Sequence, residues 1–399
     1  MMEAFDVVIA GGAVMGSSTA YHLLADKAFS GSVLVIDKDM TYQRSASALS
    51  LASIRQQFSS PVNIRISLFG IAFLKQAADL LSVDGERPAI AFHEGGYLYL
   101  AGEAGKPILV ENQAVQAAEG ADILLLERDG LAGRFPWLNL EGVSAGTWGR
   151  SGEGWFDGWG LLQAFRRKAR ALGASYREGT VVGVERAGDG VTAVRLADGA
   201  RIACGTLVDC AGASGGRQVA ALLGASLPVH SKKRLVFSFT CRDEVAPCPL
   251  LIDTSGVYMR PEGTPSAQGQ LFLCGVSPPP EADPDSDDFE IDFGVFEETV
   301  WPALAHRVPA FERIKPGRAW ACHYDLNLLD HNAIVGRFTE LENAYVALGF
   351  SGHGMQQSPA VGRGLAELIA HGRYRTLDLT DMSPRRVKEN RPLLERNII

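Results

Sequence analysis

The chain has 399 residues, room for two domains or one large elaborated one, and its 46% hydrophobic and 21% charged residues suit a globular protein with a sizeable core. A net charge of -8 argues against nucleic acid or an anionic membrane surface as the main partner. The six cysteines (Cys204, Cys210, Cys241, Cys248, Cys274 and Cys322) show no C-x-x-C pair and no zinc-like spacing, which points to a reducing compartment and no metal site.

The N-terminus carries the acids Glu3 and Asp6 where a signal peptide would carry bases, and no apolar run reaches membrane-spanning length, so a cytoplasmic location is expected. Asp6-Val7-Val8-Ile9-Ala10 predicts a strand buried on both faces. Gly11-Gly12-Ala13-Val14-Met15-Gly16 follows at once, then a helix over 17–27 and a second strand over 32–36 that ends on Asp37. This is the G-x-G-x-x-G dinucleotide fingerprint with Ala13 in the second place. Gly11 permits the tight turn, Gly16 lets the helix lie close to the sheet, and the helix amides hold phosphates. Asp37 arrives where a ribose-binding acid belongs. A lone glycine pattern would equally mark a plain βα turn; the agreement of strand, helix, second strand and acid favours the nucleotide site.

The polar stretch 38–53 reads as a loop beside that site, with Arg44, Ser45 and Ser47 placed to donate to a pyrophosphate. A long helix is expected over 61–81, strands over 90–93 and 96–100, a helix over 113–119 and a strand over 123–126. Gly154-Trp155-Phe156-Asp157 opens a new unit with an amphipathic helix over 161–172. The clusters Arg166-Arg167-Lys168 and Arg385-Arg386 read as solvated helix faces. A hairpin turns at Gly188-Asp189-Gly190 between strands 181–186 and 192–196, and 203–212 returns to a buried strand. Between 227 and 317, strands over 234–241, 256–260 and 270–275 alternate with proline-rich turns, as in an antiparallel sheet roofing a cavity. The acidic segment 278–288 reads as a surface loop. Strands over 333–336 and 344–348 then lead to a second glycine loop, 349–357, and a helix to 370, whose N-terminus suits a group that becomes negative on reduction.

The fingerprint, Asp157 in GWFD, the VDCAG strand, Tyr258 in VYMRPEG and GFSGHGMQQSPAVGRGLAELI occur in this order. Together they resemble the D-amino-acid-oxidase-like FAD-dependent oxidoreductases, the superfamily of sarcosine oxidase, glycine oxidase and dimethylglycine dehydrogenase, over nearly the whole chain. SIRQQFSSP, GWFDGWGLLQAFRRKA, YDLNLLDHNAIVG and RPLLERNII resemble the branch with bacterial sarcosine-oxidase-like proteins and a mitochondrial flavoprotein of complex I assembly.

That resemblance implies an α/β fold with a Rossmann-type FAD-binding domain, expected from 1–84, 151–226 and 318–382, and a second, mainly antiparallel β-sheet substrate domain from 85–150 and 227–317, with a tail over 383–399. It implies FAD as cofactor, held by Gly11, Ala13, Val14, Met15, Gly16, Asp37, Lys38, Arg44, Ser45, Ser47, Val182 (by its backbone) and Gly212, with Gly352, His353, Gly354, Met355 and Gln356 at the isoalloxazine edge. It also implies oxidation of a C–N bond in a secondary or N-substituted amino acid, by hydride transfer to flavin N5 and hydrolysis of the imine. Partners would be the small amine or amino-acid substrate and an electron-acceptor protein or quinone.

The expected catalytic group is Arg55, Tyr258, Arg260, His353 and Gln356. Arg55 and Arg260 are the candidate carboxylate anchors, because a guanidinium forks a carboxylate well; each could instead be a structural ion pair. Gln356 stands where sarcosine oxidases have lysine, and the strand Leu271-Phe272-Leu273-Cys274 lacks the lysine that assists oxygen reduction in some of them, so a dehydrogenase-like habit is expected. Cys322 resembles the position of a thioether to FAD, although an inert buried cysteine is the favoured reading. The alternatives are a 2-hydroxy-acid dehydrogenase, for which His353 would be the base, and a non-catalytic flavin-containing assembly protein.

Overall fold

The computed structural model describes residues 3–396; the last residues of the expected tail, 397–399, lie outside them. The strand Glu3–Ala10 runs parallel to Val33–Asp37 on one side and to Arg201–Asp209 on the other, which is why its apolar run is unbroken from Val7 to Ala10. Ser175–Glu178 and Ala344–Leu348 extend the sheet in parallel, Ile334–Arg337 closes one edge antiparallel, and the hairpin Val181–Ala187 with Gly190–Leu196 pairs with the first half of Arg201–Asp209.

The first helix, Val14–Ala25, starts three residues earlier than its sequence pattern suggests and includes Gly16. A Cβ on Gly16 would stand 1.8 Å from the Gly11 carbonyl oxygen, so only glycine lets the helix turn this close to the loop. The Ser18 hydroxyl donates to the Ser358 carbonyl at 2.7 Å and so ties this helix to the last one, Gly354–His371. Pro359 inside that last helix cannot donate to Met355; the Ser358 hydroxyl donates to the Met355 carbonyl instead, at 3.0 Å. The two glycine loops are thereby brought to one side of the sheet.

The second sheet has eight strands in the order Ile314–Asn327, Val229–Cys241, Gly269–Gly275, Tyr258–Ser266, Leu250–Ile252, Tyr97–Ala101, Ala145–Gly149 and Ile123–Glu127. Every pairing is antiparallel except that of Leu250–Ile252 with Tyr97–Ala101. Its outer face buries Phe239 stacked on Phe272 at 5.2 Å, with Phe311 edge-on to both. Met259 points into that core while Tyr258 and Arg260, one residue to either side, face the interior cavity.

Several expectations change. No strand forms over 90–93: Ala91 adopts a φ of 49°, which breaks the extended run, and only His93 bridges to Trp155. The strand Ile314–Asn327 crosses the expected boundary at 318 and stays paired with Val229–Cys241 as far as Asn327. The acidic segment is not a free surface loop. Asp283 makes two 2.8 Å bonds to Arg234, and Asp285 receives His230 at 2.8 Å and Lys232 at 3.1 Å, which pins the segment over the cavity. Arg386 is not solvated either; it is 4% exposed and donates to Asp330 and to the carbonyls of Asn332 and Ala333. Arg166 lies over the Tyr42 ring at 5.0 Å. Asp157 of GWFD caps the helix Gly158–Ala171 by accepting from Gly160 N at 2.9 Å. All six cysteines are unpaired. Among the described residues no helix is long and apolar enough to cross a membrane.

Candidate active site

Between the two sheets lies a cavity of about 980 Å³ lined by both glycine loops. At one end stand Gly11, Ala13, Val14 and Met15. Ala13 is the N-cap of the first helix and offers no side-chain bond; the Ser47 hydroxyl meets Val14 N at 3.3 Å, and the remaining first-turn amides and the positive helix end face the cavity. Asp37 accepts from Gly12 N at 2.7 Å and Asp39 N at 3.1 Å, while burial pushes its pKa up. Lys38 reaches the Ser214 carbonyl at 3.5 Å, Ser45 donates to the Tyr42 carbonyl, and the Arg44 guanidinium sits 4.3 Å from the ring of Phe289, which directly follows the pinned acidic segment. Gly212 is on the wall. Gly16 stands behind it, supporting the turn; Val182, expected to contribute by its backbone, does not line the cavity and turns its side chain outward on the hairpin.

At the other end are Gly352, His353, Gly354, Met355 and Gln356, entering the last helix, whose N-cap His353 also lacks a side-chain cap bond. Gly352 has a φ of +94° and a Cβ there would lie 2.5 Å from the Tyr324 ring, so the loop closes on that ring only as glycine. Arg55 lies against this loop. Its guanidinium is 4.6 Å from the Phe58 ring and 5.6 Å from the Tyr99 ring, and its Nη2 is 3.0 Å from His353 Nε2. Burial and the Arg55 charge hold His353 well below the ordinary histidine range. The ring is therefore neutral, with Nε2 accepting from Arg55 and the proton on Nδ1. Gln356 does not point its oxygen at a ligand: Oε1 accepts from Arg55 N at 2.9 Å and fixes the backbone of the arginine.

The two candidate anchors part company here. Arg260 is 5% exposed and committed: it pairs with Glu262 and donates to the carbonyls of Pro261 at 3.0 Å and Leu51 at 2.8 Å. Among the described residues no carboxylate lies within ion-pair distance of Arg55; its charge is felt by Tyr99, by Tyr97, which also hydrogen-bonds it, and by the more distant Glu395, and its buried Nε, like that of Arg260, has no hydrogen-bond partner. Tyr258 and Tyr324 line the same wall with phenols that burial pushes up, so both stay neutral donors. Cys322 reaches the cavity, but burial pushes its thiol up to about 12, so it stays protonated rather than thiolate.

Sequence reasoning missed Phe58, Tyr97, Tyr99 and Tyr324, which enclose Arg55 and the loop. The alternation of Tyr97 and Tyr99 in GGYLYL was the available signal, since i and i+2 share a strand face. Two carboxylates also went unnoticed. Glu153, fully buried, accepts from Gln56 N at 2.5 Å, Gln57 N at 3.2 Å and Gln57 Nε2 at 2.8 Å, and burial pushes its pKa up to about 7. Glu395 grips Ser59 and Ser60 from the C-terminal tail.

An elongated cavity with open helix amides and an acid at one end, and a second helix N-terminus beside neutral rings at the other, fits FAD: phosphates and ribose at Gly11–Asp37, the flavin at Gly352–Gln356. Among the described residues no cluster of His, Cys, Asp or Glu could hold a metal ion.

Comparison with known proteins agrees with this geometry. The family model described as "DAO: FAD dependent oxidoreductase" matches residues 6–368. The chain is 42% identical to FAD-dependent oxidoreductase domain-containing protein 1 of Xenopus laevis, across 100% of this chain and 85% of that protein. It is 26% identical to the mitochondrial dimethylglycine dehydrogenase of Homo sapiens, across 96% of this chain and 44% of that protein. The crystal structure of L-proline dehydrogenase from P. horikoshii superposes with a TM-score of 0.84 at 24% identity, covering 98% of this chain and 99% of that one, which shows the shared fold.

Proposed function

Because the chain belongs to the DAO family of FAD-dependent oxidoreductases, we propose that it oxidises the C–N bond of a secondary or N-substituted amino acid. The observation that carries this reading is Arg55. A guanidinium enclosed by aromatic rings, without an ion-pair partner, costs free energy that a substrate carboxylate would return through two parallel charge-assisted bonds. The name of the human relative, dimethylglycine dehydrogenase, supports an N-alkylated amino acid as the substrate class.

FAD, when bound, supplies the acceptor for the hydride. Arg55 orients the carboxylate, and Gln356 and His353 hold Arg55 in place from its backbone and its Nη2. The wall of Tyr258 and Tyr324, whose phenols burial keeps neutral, favours the uncharged amine, whose lone pair the C–H cleavage requires. Carbon gives up a hydride and C–N becomes C=N; a secondary amine also releases its N–H proton to water, a tertiary amine leaves an iminium cation, and water hydrolyses either to an amine and a carbonyl compound. A 2-hydroxy acid would need a free base, and the only lone pair of His353 is taken by Arg55. The strand Gly269–Gly275 has no lysine, in keeping with a protein or quinone acceptor in place of oxygen. Six unpaired cysteines favour a reducing compartment such as the cytoplasm.

The test is anaerobic bleaching of the flavin by a panel of N-methyl, N-carboxyalkyl and D-amino acids together with 2-hydroxy acids. Bleaching by N-substituted amino acids is expected. Bleaching by 2-hydroxy acids alone, or by no compound when dithionite still reduces the flavin, would overturn the proposal; the second result supports a non-catalytic assembly role.

A further inference from the structure

We propose that Glu395, in the C-terminal tail, is a positioning residue for Arg55, so that the tail forms part of the substrate site; this rests on Arg55 being the carboxylate anchor. The Glu395 carboxylate is saturated by one short segment. Oε2 accepts from Ser59 N at 2.7 Å, the Ser59 hydroxyl at 2.7 Å and Ser60 N at 3.3 Å; Oε1 accepts from the Ser60 hydroxyl and from Asn63 Nδ2 at 2.6 Å. Ser60 is the N-cap of the helix Pro61–Leu80, and its hydroxyl accepts from the Asn63 side chain at 3.0 Å and from no backbone amide of that helix, so the carboxylate supplies the negative charge that a helix start favours.

Two routes lead from this grip to Arg55. Phe58, next to Ser59, lays its ring 4.6 Å from the Arg55 guanidinium and edge-on to His353 at 5.1 Å. Asn63 accepts from Gln357 Nε2 at 3.0 Å, and the neighbouring Gln356 holds Arg55 N. On the far side Glu153 grips Gln56 and Gln57, so the segment bearing Arg55 is held between two carboxylates.

The tail is itself held by a network outside the cavity. Leu393 N donates to Asp330 at 2.8 Å, Asn332 donates to the Leu393 carbonyl at 2.6 Å, and Arg396 N donates to the Ser59 hydroxyl at 2.7 Å. Glu395 therefore reaches the segment from a fixed base.

The experiment titrates holoenzyme with pyrrole-2-carboxylate, which carries a secondary nitrogen and a carboxylate but no oxidisable C–H bond beside the nitrogen, and reads the flavin absorbance. Arg55→Met should weaken binding about 100-fold, and Glu395→Gln about tenfold with its FAD content and unliganded flavin spectrum unchanged. The double variant should bind no more weakly than Arg55→Met alone, because Glu395 acts only through Arg55. A merely structural glutamate would lower the urea midpoint without moving the dissociation constant, and that result, or additive effects, overturns the positioning role. If Arg55→Met leaves binding unchanged, or the wild type gives no response, the anchor reading itself fails. Should Glu395→Gln not fold, Ser59→Ala, which removes one of the five donors, is expected to weaken binding about threefold; unchanged binding there also overturns the proposal.

Discussion

Replacing Glu153 by glutamine should change how the stability of this protein depends on pH. Burial raises the Glu153 pKa from 4.5 to about 7 against the pull of its three hydrogen-bond donors and of Arg55. The folded protein thus holds this proton more tightly than the unfolded chain does. The stabilisation is complete below the unfolded value of 4.5 and is lost as pH rises through about 7. At 1.36 kcal/mol per unit the full change is about 3 kcal/mol, and most of it falls between pH 5 and pH 8. Glu153→Gln cannot titrate, and every other group is common to both proteins. Subtracting the two pH profiles of urea unfolding, both at saturating FAD, therefore isolates this carboxyl. The wild type should lose about 2 to 3 kcal/mol relative to the variant from pH 5 to pH 8. Profiles that stay parallel within about 0.5 kcal/mol would show that Glu153 titrates like an exposed glutamate, and the reasoning from its burial would be wrong.

Two further outcomes are expected. Gly16→Ala places a methyl 1.8 Å from the Gly11 carbonyl oxygen, where no flexible side chain can give way, so the loop must move; stability should drop by about 3 kcal/mol and the purified protein should carry little FAD, as measured by urea midpoint and by absorbance ratio. Cys322→Ala should leave the flavin spectrum unchanged and, in the wild type as in the variant, acid precipitation should release all the yellow colour into the supernatant; colour retained in the wild-type pellet alone would establish a thioether at the thiol that burial pushes up to about 12.

The nucleotide end of the site was legible in the chain because each of its parts is local. An unbroken apolar strand, glycines within six residues and an acid closing the next strand are spaced by backbone geometry alone, and Gly11, Ala13 and Asp37 line one cavity with Gly16 packed behind Gly11. The strand positions of Tyr258 and Arg260 were legible for the same reason, since a period of two fixes which face they share. What each side chain does there was not legible. Arg260 and Arg55 look alike in sequence, yet the first is paired with Glu262 and bonded to Leu51 while the second has only neutral partners, His353, Tyr97 and two aromatic rings, within bonding reach. Glu153 and Glu395 carry no motif at all; they hold the segment around Arg55 because folding brings in residues about a hundred and more than three hundred positions away. Hydrogen bonds between distant side chains leave no period in a sequence, so the chain by itself determined the frame and the cofactor loops. Only the tertiary structure decided which charges inside that frame have an ion-pair partner and which one does not.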